Sequence, residues 1–162
     1  MFLMIIKNKK KIFVLNLENE IQKFSKSKIQ KKRICLHESE NDLIQESIIF
    51  TKGFKYFRTH KHPYKKPESY HIIKGKLLIV IFDNQNNVKK KIILKKNKNY
   101  SDIYKLNANF FHLVIPMSKI CVWHEVSSGP FKKNKSFIVY EKNAPHINDD
   151  KKKQYDYCKK FF

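Results

Sequence analysis

The sequence predicts one all-β domain preceded by a short N-terminal arm, and three observations lead to this prediction. The chain has 162 residues, which suits one ordinary domain with a real hydrophobic core. Hydrophobic residues make up 41% of the chain and occur in short runs along its length. From Ile34 onward these runs are rich in β-branched and aromatic residues and are separated by polar turns, which is typical of a β-sandwich or barrel.

Residues 1–32 form the predicted arm. The opening apolar run, residues 1–6, lacks a leading basic region and is too short for a signal sequence or a membrane span, so it predicts a first strand. After a second apolar stretch at residues 12–15, Leu17, Ile21 and Phe24 recur at roughly helical spacing. This spacing predicts a short helix over residues 18–25.

Residues 33–147 form the predicted barrel. Its candidate strands cover residues 43–51, 55–59, 69–73, 76–82, 88–94, 100–106, 111–114, 118–124 and 136–140. Residues 83–87 predict a hairpin turn in which Asn takes the positive φ that Gly usually supplies. Gly53, Gly75 and Gly129 each lie between strand-like runs and are predicted to adopt backbone angles that other residues avoid. Residues 148–162 show no clear period and are expected to form a basic tail.

The net charge of +21 suggests a nucleic-acid or polyanion partner, but its composition favours a solvated surface. Only Arg33 and Arg58 are arginines, whereas phosphate recognition favours the planar guanidinium group. The basic runs are also separated and lack interleaved aromatic residues. We therefore do not expect nucleic-acid binding. Three cysteines without a C-x-x-C pair favour a reduced, cytoplasmic setting.

One stretch carries a pattern of metal ligands. His60 and His62 point to the same face of an extended chain, because side chains alternate with a period of two. A polar loop with Pro63 and Pro67 then brings Glu68 to the start of the next strand, and His112 lies later in an apolar run that suits a strand. Three imidazoles and one carboxylate form a mixed site for one divalent transition metal, Fe, Mn, Ni, Co, Cu or Zn. Such a site leaves a coordination position for water or substrate.

The pattern G-x6-H-x-H-x5-E-x6-G, which spans residues 53–75 and is followed by His112, resembles the two-part signature of the cupins. The usual cupin intervals are five residues before the first His and three or four before the Glu, and this chain has six and five. The resemblance implies a cupin jelly roll, that is, a double-stranded β-helix barrel, behind the short strand and helix arm. It also implies a homodimer, since many cupins pair through edge strands.

A closer resemblance is to the WbuC family of cupin-fold metalloproteins, and it covers about residues 25–146. It rests on several segments in the same order: residues 33–37, 44–46, 60–62, 68–75, 82–83, His112, residues 125–131 and residues 144–145. This resemblance implies a metal-dependent protein of O-antigen or surface-polysaccharide biosynthesis. Sugar isomerases and epimerases with related barrels act in such pathways, so a sugar-like ligand is expected.

Further candidate residues surround the predicted metal site. Glu125 is expected to face the cavity and to act as an acid or base beside the metal. Gln45 and Tyr70 are expected to line the cavity and contact substrate, whereas Arg33 and His37 are interpreted equally well as substrate contacts or as ordinary hydrogen-bonding residues. His71 neighbours Tyr70 on the strand, so it is expected to face outward and is not assigned as a ligand.

Four functions remain open from the sequence. Metal-assisted isomerisation of a sugar or nucleotide-sugar follows from the family resemblance. A non-haem dioxygenase is the second, because three His and one carboxylate also hold Fe(II). The third is a non-catalytic sugar- or metal-binding module, and the fourth is a polyanion-binding protein that uses its lysine surface.

Overall fold

A computed structural model describes residues 3–6, 12–62, 66–107, 109–132, 136, 138–139 and 144–162. In these residues the strands are β1 (Leu3–Ile6), β2 (Lys31–Cys35), β3 (Ile44–Lys52), β4 (His60–Lys61), β5 (Glu68–Lys74), β6 (Lys76–Phe82), β7 (Val88–Lys95), β8 (Ile103–Leu106), β9 (His112–Pro116), β10 (Ile120–Ser128) and β11 (Ile138–Val139). The helices are α1 (Leu17–Lys26) and α2 (Lys151–Lys159).

The described strands form two sheets packed against each other. One has the order β1-β2-β3-β10-β5-β8 and the other β11-β4-β9-β6-β7. Only β1 and β2 pair in parallel within these sheets, and all other neighbours are antiparallel. This is the jelly roll, or double-stranded β-helix, and the predicted fold class is confirmed. In the described strands it consists of two separate hydrogen-bonded sheets rather than one closed barrel.

The main core lies between the two sheets. Ile49, Tyr70 and Trp123 of the six-stranded sheet pack against Leu77 and Ile79 of the five-stranded sheet, and all five are buried. Each outer face has its own cover: α1 packs Ile21 and Phe24 over the six-stranded sheet, and α2 packs Tyr157 and Cys158 over the five-stranded sheet. The site described below adjoins this core, since Tyr70 and Trp123 also line its cavity.

Helix α1 begins and ends where its sequence provides caps. The side chain of Asn16 accepts a hydrogen bond from the backbone N–H of Asn19 at 3.0 Å, and the Ser27 N–H closes the last turn on the carbonyl of Lys23. Ile21 and Phe24, three residues apart, form its buried face. The prediction of a helix over residues 18–25 is confirmed, with one extra residue at each end.

Two tight positions need glycine. Gly75 joins β5 to β6 at φ 88°, and a Cβ there would lie 2.4 Å from the carbonyl oxygen of Ile120. Gly129 does not take the positive φ expected for it, but a Cβ there would lie 1.8 Å from the carbonyl oxygen of Asp42, so this glycine permits the close approach of two backbones. In the hairpin of residues 83–87 Asn86 takes φ 72°, as the sequence predicted.

Three predictions of local structure were wrong. Residues 31–35 form β2, although no strand was predicted there, because pairing with β3 compensates for their polar composition. Residues 55–59 form no strand, and the strand begins at His60, where β4 pairs with β9. Residues 151–159, expected to be an irregular tail, form α2 because Asp150 caps the helix and Gln154, Tyr157 and Cys158 are buried by tertiary packing.

The strand predicted over residues 76–82 is observed with the same ends as β6. The other predicted strands correspond to observed ones with shifted ends, and β10 runs to Ser128 rather than to residue 124. Some predicted positions lie outside the described residues: residues 1–2 of the first strand, Pro63, and residues 137 and 140. The three cysteines are buried and form no disulfide. No helix in the described ranges is long and apolar enough to cross a membrane.

Candidate metal centre

The pairing of β4 with β9 brings the first two imidazoles together. His60 lies directly opposite His112 in this antiparallel register, and their ring centroids are 4.4 Å apart. His62, two residues further on, has its ring centroid 5.1 Å from that of His60. Lys61 between them points elsewhere, with its ammonium 4.8 Å from the ring centroid of Phe111. The alternation predicted from the sequence therefore brings His60 and His62 to one point.

Glu68 completes the cluster from the other sheet. As the first residue of β5 it is 4% exposed, with Oε2 2.9 Å from His62 Nε2 and Oε1 3.1 Å from His112 Nε2. One ligand atom from each of the four residues lies within 4.8 Å of the others. Atoms bound to one metal at about 2.0–2.2 Å are at most about 4.4 Å apart, so a shift of a few tenths of an ångström allows all four to bind.

Each imidazole is oriented by a backbone carbonyl behind it. His60 Nδ1 lies 2.8 Å from the oxygen of Arg58, His62 Nδ1 2.9 Å from that of Ser136, and His112 Nδ1 3.3 Å from that of Phe110. A carbonyl oxygen only accepts hydrogen bonds, so we assign the proton to Nδ1 in each ring. Each Nε2 is then the ring atom left to face the cluster, which is the usual arrangement of metal-binding histidines.

Two atoms of the cluster are buried without a hydrogen bond among the described residues, Glu68 Oε1 and His112 Nε2. They lie 3.1 Å apart, so a proton on His112 Nε2 or a bound cation between them would satisfy both atoms. Such buried acceptors are costly unless a cation or a proton lies between them. This donor set therefore fits a metal ion.

The electrostatics of the metal-free cluster agree with this interpretation. Burial, together with the neighbouring His112, lowers the pKa of His60 to about 3, so its imidazole is neutral at physiological pH. Burial also acts to lower the pKa of His62, but its hydrogen bond to Glu68 and the carboxylate charge outweigh burial and raise it. Burial alone would raise the pKa of Glu68, whereas His112 and His62 hold it well below its ordinary value. Glu68 is thus ionised and available as an anionic ligand.

A cavity of about 440 Å³ opens beside the cluster, and His60, His62 and Glu68 form part of its wall. Arg33 and Glu125 line it as well and form an ion pair, with Nη2 3.1 Å from Oε1. The charge of Glu125 raises the pKa of Arg33 further. Glu125 thus lines the same cavity as three members of the cluster, and its role as an acid or base stays a prediction.

The other predicted contact residues also line this cavity, although two of them have local partners. The amide nitrogen of Gln45 donates to the carbonyls of Ser39, Glu40 and Asp42 and so holds that loop. The ring of His37 bonds to the backbone of Glu46 through Nδ1 at 2.9 Å. Tyr70 is 2% exposed, and burial, followed by the charge of Glu68, raises the pKa of its hydroxyl.

His71 faces the other side of the six-stranded sheet, as predicted. Its ring lies 5.5 Å from that of His124, which in turn bonds to Glu46 through Nε2 at 2.7 Å. The sequence did not single out Lys31, Phe57 or Trp123 as residues of the cavity wall. Predicting strand β2 would have identified Lys31, because it alternates in phase with Arg33.

The comparisons with known proteins establish the fold. A family model described as "Domain of unknown function (DUF6016)" matches residues 15–94. A Klebsiella pneumoniae protein with a double-stranded β-helix domain aligns with a TM-score of 0.53 at 15% identity, covering 83% of this chain and 100% of that one. A Shewanella oneidensis protein aligns at 0.56 with 9% identity, covering 67% and 73%. These structures share the two-sheet fold of this chain.

The capsular polysaccharide assembling protein CapF from Staphylococcus aureus also has this fold in part of its length. It aligns with a TM-score of 0.50 at 17% identity over 62% of this chain, which corresponds to 27% of CapF. A search of the curated proteins finds no sequence match. At these identities the likeness concerns the fold alone, which is the double-stranded β-helix.

Proposed function

We propose that this chain is a cupin-fold metalloprotein in which His60, His62, Glu68 and His112 bind one divalent transition metal. The observation that carries the proposal is the pair of buried potential ligand atoms, Glu68 Oε1 and His112 Nε2, held 3.1 Å apart without a hydrogen bond in the described residues. The three carbonyl-anchored Nδ1 atoms support it, because they direct every Nε2 toward the same point. Nitrogen and oxygen ligands suit Fe, Mn, Ni, Co, Cu or Zn.

We further propose that the protein acts on a sugar or nucleotide-sugar, as a WbuC-like protein of surface-polysaccharide biosynthesis. When bound, a divalent metal supplies Lewis acidity that polarises a carbonyl oxygen. The protein's own contribution would be Glu125, held by Arg33 on the cavity wall, which accepts or returns a proton. Arg33, His37, Gln45 and Tyr70 would orient the ligand. A cytoplasmic location and a homodimer belong to the same proposal.

The metal is tested by elemental analysis of the purified full-length chain and of single variants. We expect close to one metal per chain in the parent and far less in His60→Ala and His112→Ala. The matched control is His71→Ala, which removes an imidazole from the opposite face of the sheet and should keep full occupancy. Full occupancy in both ligand variants would refute the assignment.

The proton-transfer role is tested separately with Glu125→Gln. The metal-loaded parent is incubated with a panel of nucleotide-sugars, and isomerised products are followed by NMR. We expect the variant to keep its metal, since Glu125 is not in the cluster, and to lose turnover of any sugar that the parent converts. Unchanged turnover in this variant would remove Glu125 from the mechanism.

A further inference from the structure

The cavity wall carries positive charge along β2. Lys31 and Arg33 lie two residues apart on this strand, so both side chains project from the same face, and both line the cavity. Arg33 is paired with Glu125 at 3.1 Å. Lys31 has no carboxylate within 4.0 Å among the described residues, and its ammonium instead lies 4.0 Å from the ring centroid of Phe57. One cation on this wall is therefore uncompensated.

The surroundings of Lys31 are more positive than negative. Burial is the largest influence and lowers its pKa to about 8; the charges of Arg33 and Lys55 act in the same direction, and only Glu125 opposes them. The other carboxylates that line the cavity do not offset the positive charge around Lys31. Glu68 belongs to the histidine cluster, and Glu38, like Glu40, is exposed to solvent. A half-buried ammonium in such a place is stabilised when an anion occupies the cavity.

A second donor without an acceptor lies on the same wall. Trp123 lines the cavity and is 1% exposed, and its indole Nε1 donates no hydrogen bond within the described residues. An indole N–H can only donate, and so can an ammonium group. The indole N–H is buried, so the donors that a molecule in the cavity can reach are those of Lys31 and Arg33, and their number favours a ligand group with several acceptor oxygens.

We infer that the cavity binds an anionic small molecule whose carboxylate or phosphate oxygens contact Lys31, with Arg33 as a neighbouring donor. A cavity of about 440 Å³ is within the range of small-molecule sites, which is about 300–1,000 Å³. The inference deepens the proposed function and rests on it only for the metal that would bind near the other part of the ligand. It narrows the substrate class from sugars in general to sugar acids or sugar phosphates.

The experiment is calorimetric titration of the metal-loaded full chain with D-glucuronate, inorganic phosphate and D-glucose. We expect at least one of the two anions to bind, and glucose to bind at least about tenfold more weakly than that anion. Lys31→Met should weaken anion binding by about tenfold or more. The anion that binds more tightly distinguishes a carboxylate ligand from a phosphate ligand.

The matched control is Lys89→Met. The ammonium of Lys89 also lies over an aromatic ring, 4.4 Å from the centroid of Phe110, but Lys89 is on β7 and does not line the cavity. The Lys89→Met variant should bind both anions as tightly as the parent does. The inference is overturned if neither anion saturates the protein at about 20 mM, if Lys31→Met binds as tightly as Lys89→Met, or if glucose binds as tightly as the anions.

Metal content separates the two proposals. Lys31→Met should retain close to one metal per chain, because Lys31 is not a ligand. A parent without metal that still binds an anion through Lys31 would refute the metal centre and leave the anion site standing. If the parent holds its metal but Lys31→Met binds anions as tightly as the parent does, the anion site is refuted and the metal centre stands.

Discussion

Replacing Glu68 by Gln tests the metal centre most directly, because it removes one charge without changing the size of the side chain. In the metal-free protein the change removes the partner of His62 at 2.9 Å, in a position only 4% exposed. Breaking a buried ion pair costs about 3–5 kcal/mol when a charge stays behind. His62 can release its proton, so we expect the smaller cost of a lost buried hydrogen bond, about 1–3 kcal/mol.

The larger effect should appear when metal is present. At a free metal concentration about 1,000 times its dissociation constant, binding adds about 4 kcal/mol to the free energy of unfolding. For a chain of this size that corresponds to about 8–16 °C in Tm. Glu68→Gln should lose most of this gain because it lacks the anionic ligand. The assay is urea and thermal unfolding with chelator and with added Zn²⁺.

The control for this prediction is another His–Glu pair on the opposite face. Glu46 contacts His124 at 2.7 Å and takes no part in the cluster. Glu46→Gln should therefore keep the whole metal-dependent gain in Tm. The reasoning is refuted if Glu68→Gln is stabilised by Zn²⁺ as much as Glu46→Gln is.

Three further predictions concern the fold and its pH dependence. Gly75→Ala should lower the free energy of unfolding in urea by at least about 2 kcal/mol, because the new Cβ meets backbone atoms at a residue with φ 88°. Gly53→Ala should lower it by only about 1–2 kcal/mol, because Gly53 has φ 61° but open space around its Cβ position. Equal losses in the two variants would contradict the predicted clash. In the same assay Tyr157→Ala should lower the free energy of unfolding by about 3–5 kcal/mol, and Tyr157→Phe by only about 1 kcal/mol. An unchanged free energy of unfolding in Tyr157→Ala would mean that α2 does not pack against the five-stranded sheet. The metal-free protein should be most stable near pH 6.5. Below this pH the unfolded chain takes up a proton at His60, whereas the folded protein keeps His60 neutral down to about pH 3, so the free energy of unfolding falls. Above this pH the free energy of unfolding falls again, because the folded protein loses the stabilising proton of His62 as the pH rises through its raised pKa. Unfolding midpoints from pH 4 to 9 in chelator test this last prediction, and a flat profile would contradict it.

The spacing of side chains in the sequence was sufficient where an element depends on its own residues. Helix α1 could be predicted because Leu17, Ile21 and Phe24 recur at helical spacing. Local patterns also predicted that His60 and His62 share one face of an extended strand and that an Asn with positive φ forms the hairpin turn, which is Asn86. Helix α2 could not be predicted in this way, because Tyr157 and Cys158 are buried only against the five-stranded sheet.

By itself, the sequence determined the fold class and the residue types of the four-residue cluster, since these follow from periodicity and side-chain chemistry. Only the tertiary structure decided that β4 pairs with β9, which places His60 opposite His112 although fifty residues separate them. It also decided that Lys31 and Arg33 share a wall with Glu125, a carboxylate from a distant strand. Strand register and the balance of buried charge arise from contacts between segments far apart in the chain, and no local pattern encodes them.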